Sequence, residues 1–358
     1  MIRPLLSNRR VWLLFLLLPV VACGKVESRR PDPASTTPDV NAPNITPAPA
    51  ELGHEDFSFL KINPERDIIW PTEAAGMLVA RDYDAIESLA ARMEAEKLRD
   101  TDGGWQVWHI PEILGYIEPR DSMPWRNLFG RLEEWNHARP HSPTAKACLG
   151  RALYSYSWSP FGQSVAEDSF QRAESLLEEA VVSNPDSMIA YQSLALIAHA
   201  RSWPRDRRDQ LFRNMMARFP DDYRVYCDYT TYLAPQWYGS YEELKKVEDA
   251  VVAELGESLG SQMYARMVWS VYLSDPGYLT HPNVSWPRMR KGFEEMMKRW
   301  PESRMNLNAF CRFACLLGDD TTARRLMPQI GDNFSWLIWK DKDHFERYRA
   351  LMTNGSVP

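Results

Sequence analysis

FRNMMARFPDD (Phe212–Asp222) and FEEMMKRWPES (Phe293–Ser303) are the two stretches that decide the fold. Phe212, Met215, Met216 and Phe219 of the first align with Phe293, Met296, Met297 and Trp300 of the second. Spacings of three, one and three gather these side chains on one helix face, whereas a strand would scatter them over both of its faces. LEEAVVSNPDS (Leu177–Ser187) has the same outline. In each, the amphipathic run ends just before a proline: Pro185, Pro220 or Pro301. Proline suits the first helical position, where its missing N–H needs no partner, so each proline is expected to open the next helix. Asp186, Asp221 and Glu302 would then lie in a first turn, where carboxylates complement the helix dipole.

The segments that follow also correspond. MIAYQSLALIAHA comes after Pro185, RVYCDYTTYL after Pro220 and RMNLNAFCRFACLLGD after Pro301. SPTAKACLGRALYSYSW, around Pro143, reads as an earlier copy, and ESLGSQMYARMVWSVYL, from Glu257, fills the remaining gap. These starts recur every 35 to 44 residues or roughly so, a period that marks stacked helical hairpins. Nearer the N-terminus, RDYDAIESLAARMEAEKL carries one apolar stripe of Ile86, Leu89, Ala90 and Met93. No run of alternating β-branched residues is long enough for a sheet. The expected fold is all-α, an irregular tetratricopeptide-like α-solenoid of stacked helical hairpins.

Three further stretches, DYDAIESLAARM (Asp82–Met93), YLAPQWYGSYEEL (Tyr232–Leu244) and NAFCRFACLLGDDTTARRLMPQIG (Asn308–Gly331), frame nearly the whole domain. Through them the chain resembles a family of uncharacterised bacterial proteins known only as a domain of unknown function. That resemblance implies a helical-repeat fold and brings no activity and no catalytic residues. The N-terminal leader and tether would be additions to it.

The leader has the parts of a secretory signal: Arg3, Arg9 and Arg10, the apolar run VWLLFLLLPVV (Val11–Val21), and small Ala22 before Cys23. The run is about half of the roughly 20 apolar residues that a membrane-spanning helix needs. Val20-Val21-Ala22-Cys23 resembles the lipobox read by bacterial lipoprotein processing enzymes, with Val20 in place of the usual Leu. That resemblance implies a diacylglycerol on Cys23, cleavage before it and acylation of the freed amine. Two acyl chains anchor a protein stably where one binds only marginally. Gly24 follows the cysteine where an Asp would retain the protein at the inner membrane, so the expected site is the outer membrane, facing the periplasm. An ordinary secreted protein and an inner-membrane helix are the alternatives.

From Val26 to about Gly53, prolines alternate with Ala, Thr, Asp and Asn. Such a tether stays extended, and at about 3.1 Å per residue it holds a domain tens of ångströms from the lipid. The expected organisation is therefore 1–22 signal, 23–55 lipidated cysteine and tether, 56–350 helical-repeat domain and 351–358 tail.

Net charge is −6, and removal of the signal takes three arginines and no acids with it. With no basic stripe, nucleic acid and electrostatic binding to anionic lipid are not expected. Of five cysteines, Cys148, Cys227, Cys311 and Cys315 fall inside apolar helical patterns and read as buried thiols, with one long-range disulfide as the alternative. Zinc spacing is missing. The seven histidines are scattered; His137 and His141 have helical spacing, but Pro140 between them ends a helix. Acid pairs such as Glu178-Glu179, Glu242-Glu243 and Glu294-Glu295 read as solvated faces. No GxSxG elbow, P-loop or GxGxxG is present, and no catalytic, cofactor or metal residue is assigned.

The one candidate partner surface is Trp237, Tyr238, Gly239 and Ser240, where two aromatics and a glycine interrupt the repeats. Its structural reading is a turn in which Ser240 caps the next helix while Glu243 returns the bond. Most of the 14 tryptophans fit core positions, whereas Trp105 and Trp108 follow no repeat. Stacked helical pairs expose an extended surface suited to protein partners, so a membrane-anchored protein-interaction scaffold is the leading expectation. The alternatives are a glycan- or peptidoglycan-binding protein or hydrolase with a motif-free site, which needs a pocket joining aromatics to perturbed carboxylates, and a plain structural spacer.

Overall fold

Side-chain caps set the starts of several helices. The structure, a computed structural model, describes residues 73–115, 123–237 and 239–354, all within one compact unit that begins at Phe59. The signal, Cys23, the tether and Tyr238 lie outside the described residues. Fifteen α-helices are described: α1 (Glu73–Val79), α2 (Tyr83–Ala95), α3 (His109–Gly115), α4 (Met123–Ala138), α5 (Pro143–Trp158), α6 (Ala166–Ser183), α7 (Met188–Ala200), α8 (Arg205–Arg218), α9 (Tyr223–Tyr232), α10 (Tyr241–Ser274), α11 (Trp286–Arg299), α12 (Arg304–Leu316), α13 (Asp320–Ile330), α14 (Trp336–Trp339) and α15 (Lys342–Asn354). Among the described residues the only β pairing is an isolated antiparallel bridge between Arg99 and Trp105. The protein is all-α.

The prolines sit differently from the expectation. Pro185, Pro220 and Pro301 lie in the turns, and each helix begins after a cap two residues further on. Ser187 accepts from the Ala190 N–H at 3.4 Å, Asp222 from Arg224 at 3.1 Å and Ser303 from Asn306 at 3.1 Å. A Ser or Asp side chain satisfies an N–H that the helix leaves open, which proline cannot do. Asp186, Asp221 and Glu302 therefore precede the helices instead of occupying their first turns. Pro143 does sit at the first position, behind the Ser142 cap.

The apolar stripes face inward as the spacing requires. Ile86, Leu89, Ala90 and Met93 are buried on α2, as are Phe212 and Met215 on α8 and Phe293 and Met296 on α11. Successive helices pack on one another from α5 through α13, with further contacts of α3 on α5 and α5 on α7. The α10 helix is broken at Gly256, whose φ of +76° is open to glycine and strained for other residues, and helix resumes at Glu257, where the repeat pattern calls for a new start. Between α10, α11 and α12 the Phe293 ring stacks on Phe310 at 5.2 Å, with Phe313 and Trp269 beside it. Cys148 and Cys311 are buried and Cys227 and Cys315 half-buried, all as free thiols.

Candidate functional site

Between α2 and α3 the segment Leu98–Trp108 folds into a tight loop. The Asp100 N–H donates to the Gly104 carbonyl at 2.8 Å, Gly103 to Asp100 at 2.9 Å and Gln106 to Leu98 at 3.0 Å. The Asp102 carboxylate accepts from the Gly104 N–H at 2.8 Å. Gly103 has φ +96°, and a Cβ there would lie 2.6 Å from Trp300 Nε1. Two constraints, backbone and packing, thus demand glycine at the loop tip.

Helices far along the chain receive this loop. The Tyr223 hydroxyl of α9 donates to Asp102 Oδ2 at 2.8 Å. Arg266 of α10 and Asn306 of α12 both donate to the Asp102 carbonyl, Asn306 at 3.3 Å. Arg99 pairs with Asp221 at 2.5 Å and lies over the Trp105 ring at 3.9 Å. Trp108 Nε1 donates to Asp222 at 3.3 Å, and Gln192 of α7 donates to the same carboxylate oxygen at 3.0 Å. Asp222 therefore caps α9 and holds the loop at once. Trp105 and Trp108, unexplained by the repeat, are the buried aromatic anchors of this loop.

Behind the loop, His109 sits between Asp100 and Glu112, its two ring nitrogens 2.7 and 2.9 Å from their carboxylates. Burial disfavours its charge, but two carboxylate hydrogen bonds outweigh that and raise its pKa. The imidazolium, with both nitrogens protonated, is the form that donates to both partners. Glu112 is held down at about 2: burial works against its ionisation, while the His109 bond and the charges of Arg224 and Arg151 favour it. On α9, half-buried Asp228 moves the opposite way. Burial and the neighbouring Asp222 charge push it up to about 8. Glu112 and Asp228 thus share the arginines Arg151 and Arg224 but hold their protons at very different pH.

At Gly103 the loop borders a shallow, open recess. Arg99, Arg266, Arg299, Gln262 and Trp300 line it together with the apolar Leu259 and Met263. Asp221 is the one carboxylate in that lining.

The residues singled out from the sequence fall elsewhere. Gly239 meets the Leu233 carbonyl so closely that a Cβ would lie 2.1 Å from its oxygen. Ser240 caps α10, accepting from the Glu243 N–H at 3.2 Å, while the Glu243 carboxylate accepts from the Ser240 hydroxyl at 3.4 Å instead of from its backbone N–H as a capping box requires. The half-buried Trp237 lies edge-on to His199 at 5.2 Å. Tyr238 and Cys23 lie outside the described residues. Sequence reading missed Asp100, Asp102, His109, Glu112, Asp228 and Arg266, which no local pattern groups together. Among the described residues no group of three or more His, Cys, Asp and Glu is disposed to hold a metal ion, and no helix is long and apolar enough to cross a membrane.

No family model matches the chain, and no curated protein matches it significantly.

Proposed function

We propose that the chain is a lipid-anchored binding module of the bacterial cell envelope, belonging to the helical-repeat family of unknown function that its sequence resembles. In this reading the helices stack as an irregular tetratricopeptide-like solenoid. Cys23 holds the module by its lipids at the outer membrane, facing the periplasm, and the proline-rich tether spaces it from the bilayer. Its partner is a protein rather than a nucleic acid.

One observation carries this reading. Donors on three separate helices, Tyr223, Arg266 and Asn306, converge on a single loop residue, Asp102. Two of them hold its backbone carbonyl and one its carboxylate. Donors set in this way on stacked helices hold polypeptide of many sequences, because every residue offers a carbonyl, and here they hold the chain's own loop. The reading also makes Trp237 and Tyr238 a second contact, while Gly239 and Ser240 serve the turn.

The test is in-cell crosslinking of the native protein with a photoreactive residue at Gln262 or Trp237, followed by mass spectrometry. A reproducible envelope protein joined at those positions is expected, with capture lost in Cys23→Ser because that chain leaves the membrane. Recovery of no protein, or membrane attachment unchanged in Cys23→Ser, would remove respectively the scaffold or the anchor.

The glycan-hydrolase reading draws on Glu112 and Asp228, whose proton affinities diverge as those of an acid and a base do. Release of reducing sugar from peptidoglycan, abolished in Asp228→Asn, is the result that would favour it.

A further inference from the structure

We propose that the recess bounded by Arg99, Arg266, Arg299 and Trp300 is a subsite for an acidic side chain of a partner polypeptide. This rests on the binding-module reading and names the chemistry of the partner. The lining holds three arginines and one carboxylate, Asp221. Asp221 is already committed to Arg99 at 2.5 Å. Arg266 gives one nitrogen to the Asp102 carbonyl and stacks on Tyr223 at 3.8 Å. Among the described residues no hydrogen bond or ion pair engages the Arg299 guanidinium, which lies over the Trp300 ring at 5.4 Å. Gln262, buried at 6 % exposure, has no hydrogen-bond partner among them either. The recess therefore presents two positive charges in excess and unused donors, on a chain whose own balance is −6.

Size decides what enters. Small-molecule sites enclose about 300–1,000 Å³, whereas this recess is open, shallow and encloses almost no space of its own. It admits an end group rather than a whole ligand. Its donors already hold oxygens of polypeptide, a carboxylate at Arg99 and a backbone carbonyl at Arg266. Leu259, Met263 and the Trp300 indole, which also line it, offer apolar contact to the methylenes of a glutamate. Arginine forks match carboxylates in two-point geometry, and Trp and Arg are the residues around which binding energy concentrates.

The test uses N-acetyl-hexaglutamate amide titrated calorimetrically into the purified full-length protein in detergent at low ionic strength. Saturable binding is expected, weakened at least tenfold in Arg299→Glu, partly retained in Arg299→Lys and absent for hexaglutamine. Arg299 is exposed, so its variants test the site without disturbing the core. Several results overturn the proposal: no saturation up to about 1 mM, the weak end of useful affinity; binding unchanged in Arg299→Glu; or inorganic phosphate competing as well as the peptide, which makes the recess a general anion site. Capture of a protein partner in cells does not depend on hexaglutamate. Failure of the peptide with capture intact removes this subsite alone, and loss of both removes the binding-module reading.

Discussion

At His109 the protein buries an imidazole between Asp100 and Glu112, with none of its side chain exposed. Removing one partner of a buried charged cluster costs about 3–5 kcal/mol, because the remaining charge keeps its desolvation penalty and loses its compensation. His109→Gln reaches one carboxylate at best, so a loss of about 3 kcal/mol is expected in urea unfolding. A loss below about 1 kcal/mol would mean that Arg224, 3.7 Å from Asp100, satisfies the acids by itself. Glu248 behaves in the opposite sense. It is 1 % exposed, accepts from Tyr278 at 2.9 Å on one oxygen and has no hydrogen-bond partner on the other. Burial pushes it up to about 8. The folded protein thus keeps a proton there that the unfolded chain gives up near 4.5. Stability from this group is full below pH 4.5 and falls as pH rises to about 8, by at most about 1.4 kcal/mol per pH unit. Glu248→Gln is expected to flatten that slope in Tm measured from pH 5 to 8; an unchanged slope would show that another group sets it.

The turn between α9 and α10 has two kinds of residue. Gly239 is required by backbone contact and Ser240 by capping, whereas Trp237 presents a half-buried ring. Gly239→Ala is expected to cost about 2 kcal/mol or more, since no relaxation of a flexible side chain relieves a clash with a carbonyl. Trp237→Ala should leave the turn in place and lower partner capture; circular dichroism beside crosslinking separates the two effects. The elements themselves were legible in the sequence because each helix writes its buried face at fixed spacing, as Phe212–Phe219 and Phe293–Trp300 do. The starts of these helices were misread: the prolines drew the reading to themselves, whereas Ser187, Asp222 and Ser303, two residues after each, are the caps. The loop Leu98–Trp108 was not legible. It has no period, and Tyr223, Arg266 and Asn306 lie 121, 164 and 204 residues from Asp102. No local pattern records contacts at that range. Likewise the proton affinities of Glu112 and Asp228 come from neighbours that only the fold assembles.

Across the whole molecule, most packing joins helices adjacent in sequence. An array built only that way has no fixed unit of unfolding: its end pairs open one at a time and the remainder persists. The Asp102 loop breaks that rule by tying the segment after α2 to α9, α10 and α12. Fraying of α12 from the C-terminal side has to break the Asn306 bond and loosen Gly103 from Trp300, which exposes the same buried loop that roofs His109. Segments 204 residues apart in sequence are thereby joined in one cooperative transition. The same tie slows assembly, because long chain closures are entropically unfavourable until the contacts that reward them have formed. A chain made from its N-terminus holds the Asp102 loop without its α12 partner until Asn306, 204 residues later, has followed. That interval is when this protein most needs a chaperone.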